Sequence, residues 1–282
     1  MITIAILTLH EAVRRRIVAV LVLLTLVSVV LTGFGAERLV ALAAEHGANP
    51  IEVRIGVSQI LILVAFMFSF VLAMTAAFLG APAIAGDIES GVAQSMLARP
   101  IRRADLVVGR WLGLSIVVGL YAAGSGLLEV AVVAALTGHV PPQPFVAVAF
   151  LAGESIVLLT LALLLSTRLP SMAAGAICVV MFGLAWMAGI FAGIGRVFGA
   201  DVLVAVARES RWLFPTDGLW RGVVYGLEPP LVIFGSGRFG VAAEANPFYA
   251  AAPPPLEFVI WSVVWVALAL GLAVLSLDRR EV

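Results

Sequence analysis

The chain has 282 residues, of which 62% are hydrophobic and 12% charged, too little polar surface to clothe a soluble fold, so the composition specifies an integral membrane protein. Its 17 basic and 17 acidic residues balance, which removes any electrostatic argument for a nucleic-acid or acidic partner. All the basic residues are arginines; without lysine the chain cannot build a phosphate-loop ATP site.

In chain order, Met1 to Arg16 places Ile2, Ile6, Leu9 and Val13 on one helical stripe, with Thr3, His10 and Arg14 opposite. This pattern predicts a helix lying in the membrane interface, an elbow into the first span; a frayed tail whose arginines anchor that span is the plainer alternative. A bilayer core needs roughly 20 apolar residues in a helix, and six stretches supply them: Ile17 to Phe34, Val57 to Leu79, Leu106 to Leu136, Phe145 to Ser166, Met172 to Ile194 and Phe258 to Leu277. The chain is therefore predicted to be all-α and polytopic. The first stretch exceeds the apolar length of a signal peptide and is read as a retained span.

Span 2 is predicted to end near Pro82. The following residues, Ala83 to Arg103, mix charges with small apolar clusters. Asp87 and Glu89 suit the first turn of a helix and Pro100 would stop it, so Val92, Ser95, Met96 and Leu97 would form a short helix with a protruding apolar edge. That edge either docks on a partner or folds back on the membrane surface through Arg99, Arg102 and Arg103.

Two carboxylates fall inside spans, where burying a charge costs about 2.5–3.5 kcal/mol at the centre on insertion scales. Glu129 lies in the outer half of span 3, within reach of water. Glu154 is near the middle of span 4, where it belongs to a translocation path or a dimer seam, or is a protonated structural residue. Glycine pairs four apart, Gly109 with Gly113 and Gly189 with Gly193, permit close helix approach in lipid.

The connection from Gly195 to Glu257 reads as a folded extracytoplasmic loop with one or two short interfacial or re-entrant helices. Trp212, Trp220 and Tyr225 are its interface aromatics, and Thr216 or Asp217 caps a helix running to about Leu227. Gly235, Gly237 and Gly240 have dinucleotide-loop spacing, but no βαβ unit surrounds them. The single cysteine, Cys178, excludes an intrachain disulfide and a cysteine-based metal cluster, and His10, His46 and His139 are scattered. No catalytic set is recognisable.

Orientation follows the arginines. Arg14 to Arg16, Arg99, Arg102, Arg103, Arg110, Arg168, Arg279 and Arg280 flank the spans on one side, whereas the short loops opposite carry only Arg38 and Arg54. Both termini are thus expected in the cytoplasm, with the chain in the cell (inner) membrane.

The segment between spans 2 and 3 resembles that of permease subunits of type-2 ATP-binding-cassette (ABC) transporters: an acidic residue, a glycine, a helix with paired apolar residues, a proline and basic residues. Here these read Asp87, Glu89, Gly91, Met96 with Leu97, Arg99 with Pro100, and Arg102 with Arg103, followed by Gly109-Arg110-Trp111-Leu112-Gly113. Val92 stands where the family often has threonine, and Arg110 where it often has lysine. Six spans with a long last outer loop, including Phe214-Pro215-Thr216-Asp217, look most like the branch associated with multicopper-enzyme and nitrous oxide reductase maturation. The resemblance implies a half-transporter, an exporter that binds no cofactor itself. It would pair with a second permease chain as homodimer or heterodimer and with two copies of a separate ATP-binding subunit that carries ATP and magnesium. Its surroundings would be lipid, with no nucleic acid. It assigns the ATPase contact to Asp87, Glu89, Gly91, Val92, Met96, Leu97, Arg99, Arg102 and Arg103. A non-transporting scaffold or sensor, or an ATP-independent carrier or channel, are the competing classes.

Overall fold

In a computed structural model the described residues are 1–14, 16–91, 102–228, 246–250 and 252–280. Among them the chain forms helices only: α1 Ile2–Arg14, α2 Arg16–Glu45, α3 Pro50–Gly80, α4 Pro82–Glu89, α5 Arg103–Thr137, α6 Pro144–Ser166, α7 Ser171–Phe198, α8 Asp201–Leu213, α9 Thr216–Leu227 and α10 Leu256–Asp278. Six are long and apolar enough to cross a membrane, α3 and α4 counting as one. The chain is therefore all-α with six membrane spans, as its composition predicts. Val92, Ser95, Met96, Leu97, Arg99 and Pro100, Arg15, and the Gly235 to Gly240 glycines lie outside the described residues.

The helices overrun the apolar stretches where polar turns continue the hydrogen-bond ladder. α2 passes Phe34 and runs to Glu45. α3 begins seven residues before Val57, because Asn49 and Glu52 form a reciprocal capping box around Pro50 at the first helical position. Left-handed glycines end α5 at Gly138 (φ 68°) and α7 at Gly199 (φ 66°).

Span 2 does not stop at Pro82. Ala81 keeps helical angles (φ −60°, ψ −45°), and Pro82 opens α4, where its missing N–H costs little. Asp87 and Glu89 consequently occupy the last turn of a helix, not the first turn of the next. Gly91, at φ 73°, then turns the chain.

α6 is the hub. It packs on α3, α4, α5, α7, α9 and α10, and a helix apolar all round is the kind that can be surrounded in this way. Leu151, Leu158, Leu159, Ala162 and Leu163 bury against Phe68, Leu72, Ala76, Val118 and Cys178. α2 and α10 keep most of their apolar surface outward, toward lipid.

Candidate functional site

Three loci bring the polar side chains together. The first surrounds α4. Gly109 and Gly113 on α5 form a notch that receives α1: a Cβ at Gly109 would lie 2.8 Å from Ile4 Cβ, and one at Gly113 2.6 Å from the Ala5 carbonyl oxygen. Thr8 and Ala12 are buried there while Ile2, Ile6 and Val13 stay exposed. This spacing of small residues thus seats a short helix rather than another span.

Arg110, between those glycines, is 11% exposed and bridges two helices. Its Nη1 donates to Glu11 Oε2 on α1 at 2.8 Å and its Nη2 to Asp87 Oδ2 on α4 at 2.6 Å. Glu89 reaches the other way. Its carboxylate oxygens accept from the Ser171 backbone N–H (2.8 Å) and hydroxyl (3.0 Å), capping the start of α7, where a negative charge is favoured. Arg103 donates to the carbonyls of Leu277, Asp278 and Arg280, at 2.6, 3.1 and 2.7 Å, complementing the C-terminal end of α10. Arg168 holds Ser276, and Arg280 the Thr167 carbonyl. Arg102 contributes its extended backbone as the N-cap of α5. The Met1 ammonium and Asp105 approach to 3.7 Å, so Met1 and Arg280 both lie at this end. Of the residues that the resemblance assigns to the ATPase contact, Asp87, Glu89, Gly91, Arg102 and Arg103 converge here; Val92, Met96, Leu97 and Arg99 lie outside the described residues.

The second locus lies at the opposite end, on α8 and α9. The expected helix to Leu227 is present, but neither Thr216 nor Asp217 caps it. Asp217 pairs instead with Arg211 Nε at 2.5 Å, with Arg221 Nε 3.6 Å away. It seats against Gly189 of α7, in space that any side chain there would fill. Burial pushes the Arg221 guanidinium down and the Asp217 charge opposes this. Trp220 is not an interface aromatic: it is 2% exposed, packs on Phe66 and Phe248 at ring-centroid distances of 5.7 and 6.4 Å, and donates to the Pro247 carbonyl. Its ring enters the core because Gly218, Gly222 and Gly226 leave α9 room to lie against Phe258, Phe150 and Ala147. Trp212 stays near the surface beside Trp261.

Glu154 lies beneath this cluster, 3% exposed, accepting from Ser69 Oγ of α3 at 3.0 Å and sensing the Asp217 charge. Glu228, just past α9, accepts from the Ala250 N–H through Oε2; burial pushes its carboxyl up to about 7. His139, against Ser58, is shifted down by burial and then by the Arg54 charge.

The third locus is Glu129. It does not reach water: it is 2% exposed, and neither oxygen has a hydrogen-bond partner. The Ser28 and Thr32 hydroxyls of α2 face it without reaching hydrogen-bond geometry.

The family model described as ABC-2 family transporter protein matches residues 2–209, from α1 into α8. The chain belongs to the ABC-2 transporter family. As an ABC-2 permease it is the membrane component, which in this family has no ATP site of its own, and membership implies association with an ABC ATPase subunit. Comparison with curated proteins returns no match. The matched segment contains the whole α1–α4–α5 junction, whereas α9 and α10 lie beyond it. Ser171 and Arg211 are the residues of these loci that sequence reasoning misses, while it reads Arg110 only as an orienting charge in a family-like segment and Gly189 only as a packing glycine. An arginine inside a glycine notch was the one visible signal, since it must find carboxylates on the helix the notch admits.

Proposed function

We propose that this ABC-2 permease is half of an exporter whose force enters through residues 92–101 and is distributed by the side chains that anchor both ends of that segment. The observation that carries this reading is Arg110, which joins α1, α4 and α5 at one point. Glu89 adds α7, and Arg103 adds α10. A push on the 92–101 segment therefore loads four spans and the N-terminal helix at once, the kind of linkage a two-state rearrangement requires. Met96 and Leu97 are the apolar contacts for the ATPase, and α1 is the interfacial elbow. The arginine-rich end faces the cytoplasm, on the inner membrane, with two ATPase copies and a second permease chain completing the assembly.

At the far end, we assign Glu154 to an outer lock instead of a seam between chains, because it is enclosed within one chain below Asp217. Movement of α9 would lift Asp217 from Gly189 and expose this polar pair. Phe214 to Asp217 and the long loop support assignment to the multicopper-maturation branch.

The test is co-purification with the cognate ATPase followed by hydrolysis measurements. Met96→Asp with Leu97→Asp should abolish the complex. Arg110→Gln should leave the complex intact but lose the acceleration of hydrolysis that assembly brings. An Arg110→Gln complex hydrolysing ATP at the wild-type rate would overturn the linkage.

A further inference from the structure

Two grooves of similar size open on the apolar flanks of the bundle. One, about 450 Å³, lies between α6 and α10, and no charged residue lines it. The other, about 440 Å³, lies between α2 and α3, with Leu24, Leu31, Met67, Phe68 and Phe70 among its walls. Both volumes suit a small organic molecule. The second differs in one respect: its polar wall residues, Ser28 and Thr32, are the two hydroxyls that face the Glu129 carboxylate.

Glu129 itself lines a cavity of about 30 Å³ immediately behind, and cavity and groove share Val64 and Phe68 as a common wall. A buried carboxylate without a partner is costly in a membrane, and such residues mark the paths of ions and charged substrates. The polar groups that face the Glu129 carboxylate, the Ser28 and Thr32 hydroxyls, are neutral and supply no counter-charge. The complementary occupant is a cation. The groove faces the bilayer through exposed Met67 and Phe70, so that cation must also be soluble in lipid. Phe68 and Phe70 supply aromatic surface that favours positive charge.

We propose that the groove between α2 and α3 is a lateral binding site for a lipophilic organic cation, with Glu129 as its counter-charge and Ser28 and Thr32 as the polar relay between them. As the cargo class of the exporter, the proposal rests on the function argued above; as a binding site it is measurable without it.

The probe is tetraphenylphosphonium, bound by equilibrium dialysis to the purified full chain in lipid nanodiscs. Saturable binding is expected, weakened about tenfold or more by Glu129→Gln. Tetraphenylborate, equal in shape and opposite in charge, should bind no more weakly to that variant than to the wild type. Because Glu129→Gln could disturb packing, Phe70→Leu serves as the second variant. It keeps an apolar side chain on the exposed rim but removes the ring, and should weaken phosphonium binding more than borate binding. Unchanged phosphonium affinity in both variants overturns the proposal, as does equal wild-type affinity for the borate. A disulfide between copies at Met67→Cys, in a Cys178→Ala background, would make the groove a seam between chains and overturn it too. Binding together with stimulated ATP hydrolysis supports the site as a cargo site; binding without stimulation keeps the site and removes that role.

Discussion

The two ends of the bundle use charge differently. At the arginine-rich end, Arg110, Glu89, Arg103, Arg168 and Arg280 each reach across to a segment distant in sequence, and most meet a carboxylate or a helix-terminal backbone group. At the opposite end, Arg211, Asp217 and Arg221 gather on adjacent helices within a few residues of one another in the sequence. The first arrangement ties elements together across long sequence separations. The second stores polar groups in space held open by small residues. In the mechanism proposed above, the long-range links suit transmission of displacement, and the local cluster, seated on a glycine, suits movement of α9 as a unit.

The largest expected effect comes from the apolar roof over the polar cluster. Trp220→Ala removes a ring packed on Phe66 and Phe248 and should destabilise the α8–α9 end by about 3–5 kcal/mol, read as a loss of melting temperature in detergent. If the cost were small, α9 would be a surface helix. Next is the linkage. Arg110→Ala removes the guanidinium that Asp87, 17% exposed, shares with Glu11, and should cost about 2–3 kcal/mol, short of a fully buried pair because Glu11 remains half in water. Asp87→Asn should cost less in the Arg110→Ala background than in the wild type, a coupling that a double-mutant cycle measures. Additive losses would show that the two residues act separately.

How far the sequence could be read follows from the same division. The spans were legible because a hydrocarbon core dictates the length and polarity of each helix, and Gly109 with Gly113 announced a close helix contact. Its partner was not legible, since lipid-facing small residues admit any helix and α1 was read only as interfacial. Asp87 and Glu89 were recognised as important, but the proline at position 82 suggested a break where the backbone continues without one. Trp220 was assigned to an interface because amphipathic rings favour that depth; only the glycines on its own helix, at four-residue spacing through Gly218, Gly222 and Gly226, signalled that α9 sinks into the bundle. Glu129 was given access to water from its position near the span's end, whereas α2, Ser28 and Thr32 close over it, a matter of packing that no local pattern records.

A smaller effect is expected at the notch beneath Asp217. Gly189→Val places branched carbon where the carboxylate sits and should push α9 outward, costing about 1–3 kcal/mol as overpacking does. Gly183→Val, on the same helix but with nothing within 4 Å of its side-chain position, should cost less. Equal costs would mean that Asp217 has no fixed seat.

The mildest perturbation is one of pH. Glu228 is held near 7 by burial, above the ordinary carboxylate range, with one hydrogen bond from Ala250 opposing the shift. Between its ordinary value and about 7 the folded chain binds more protons at this site than the unfolded chain, so stability must fall as pH rises through that window. The contribution is fully present at pH 4 and lost above about 7. Glu228→Gln should therefore melt at a temperature less dependent on pH and, above pH 7, higher than the wild type, while leaving the Arg110 linkage and complex formation unchanged. A wild-type melting temperature that rises from pH 5 to pH 8 at this residue's expense, or a glutamine variant with the same slope, would mean that Glu228 is ionised in the folded chain and that the loop at Asn246 to Ala250 is held by charge instead of by a buried acid.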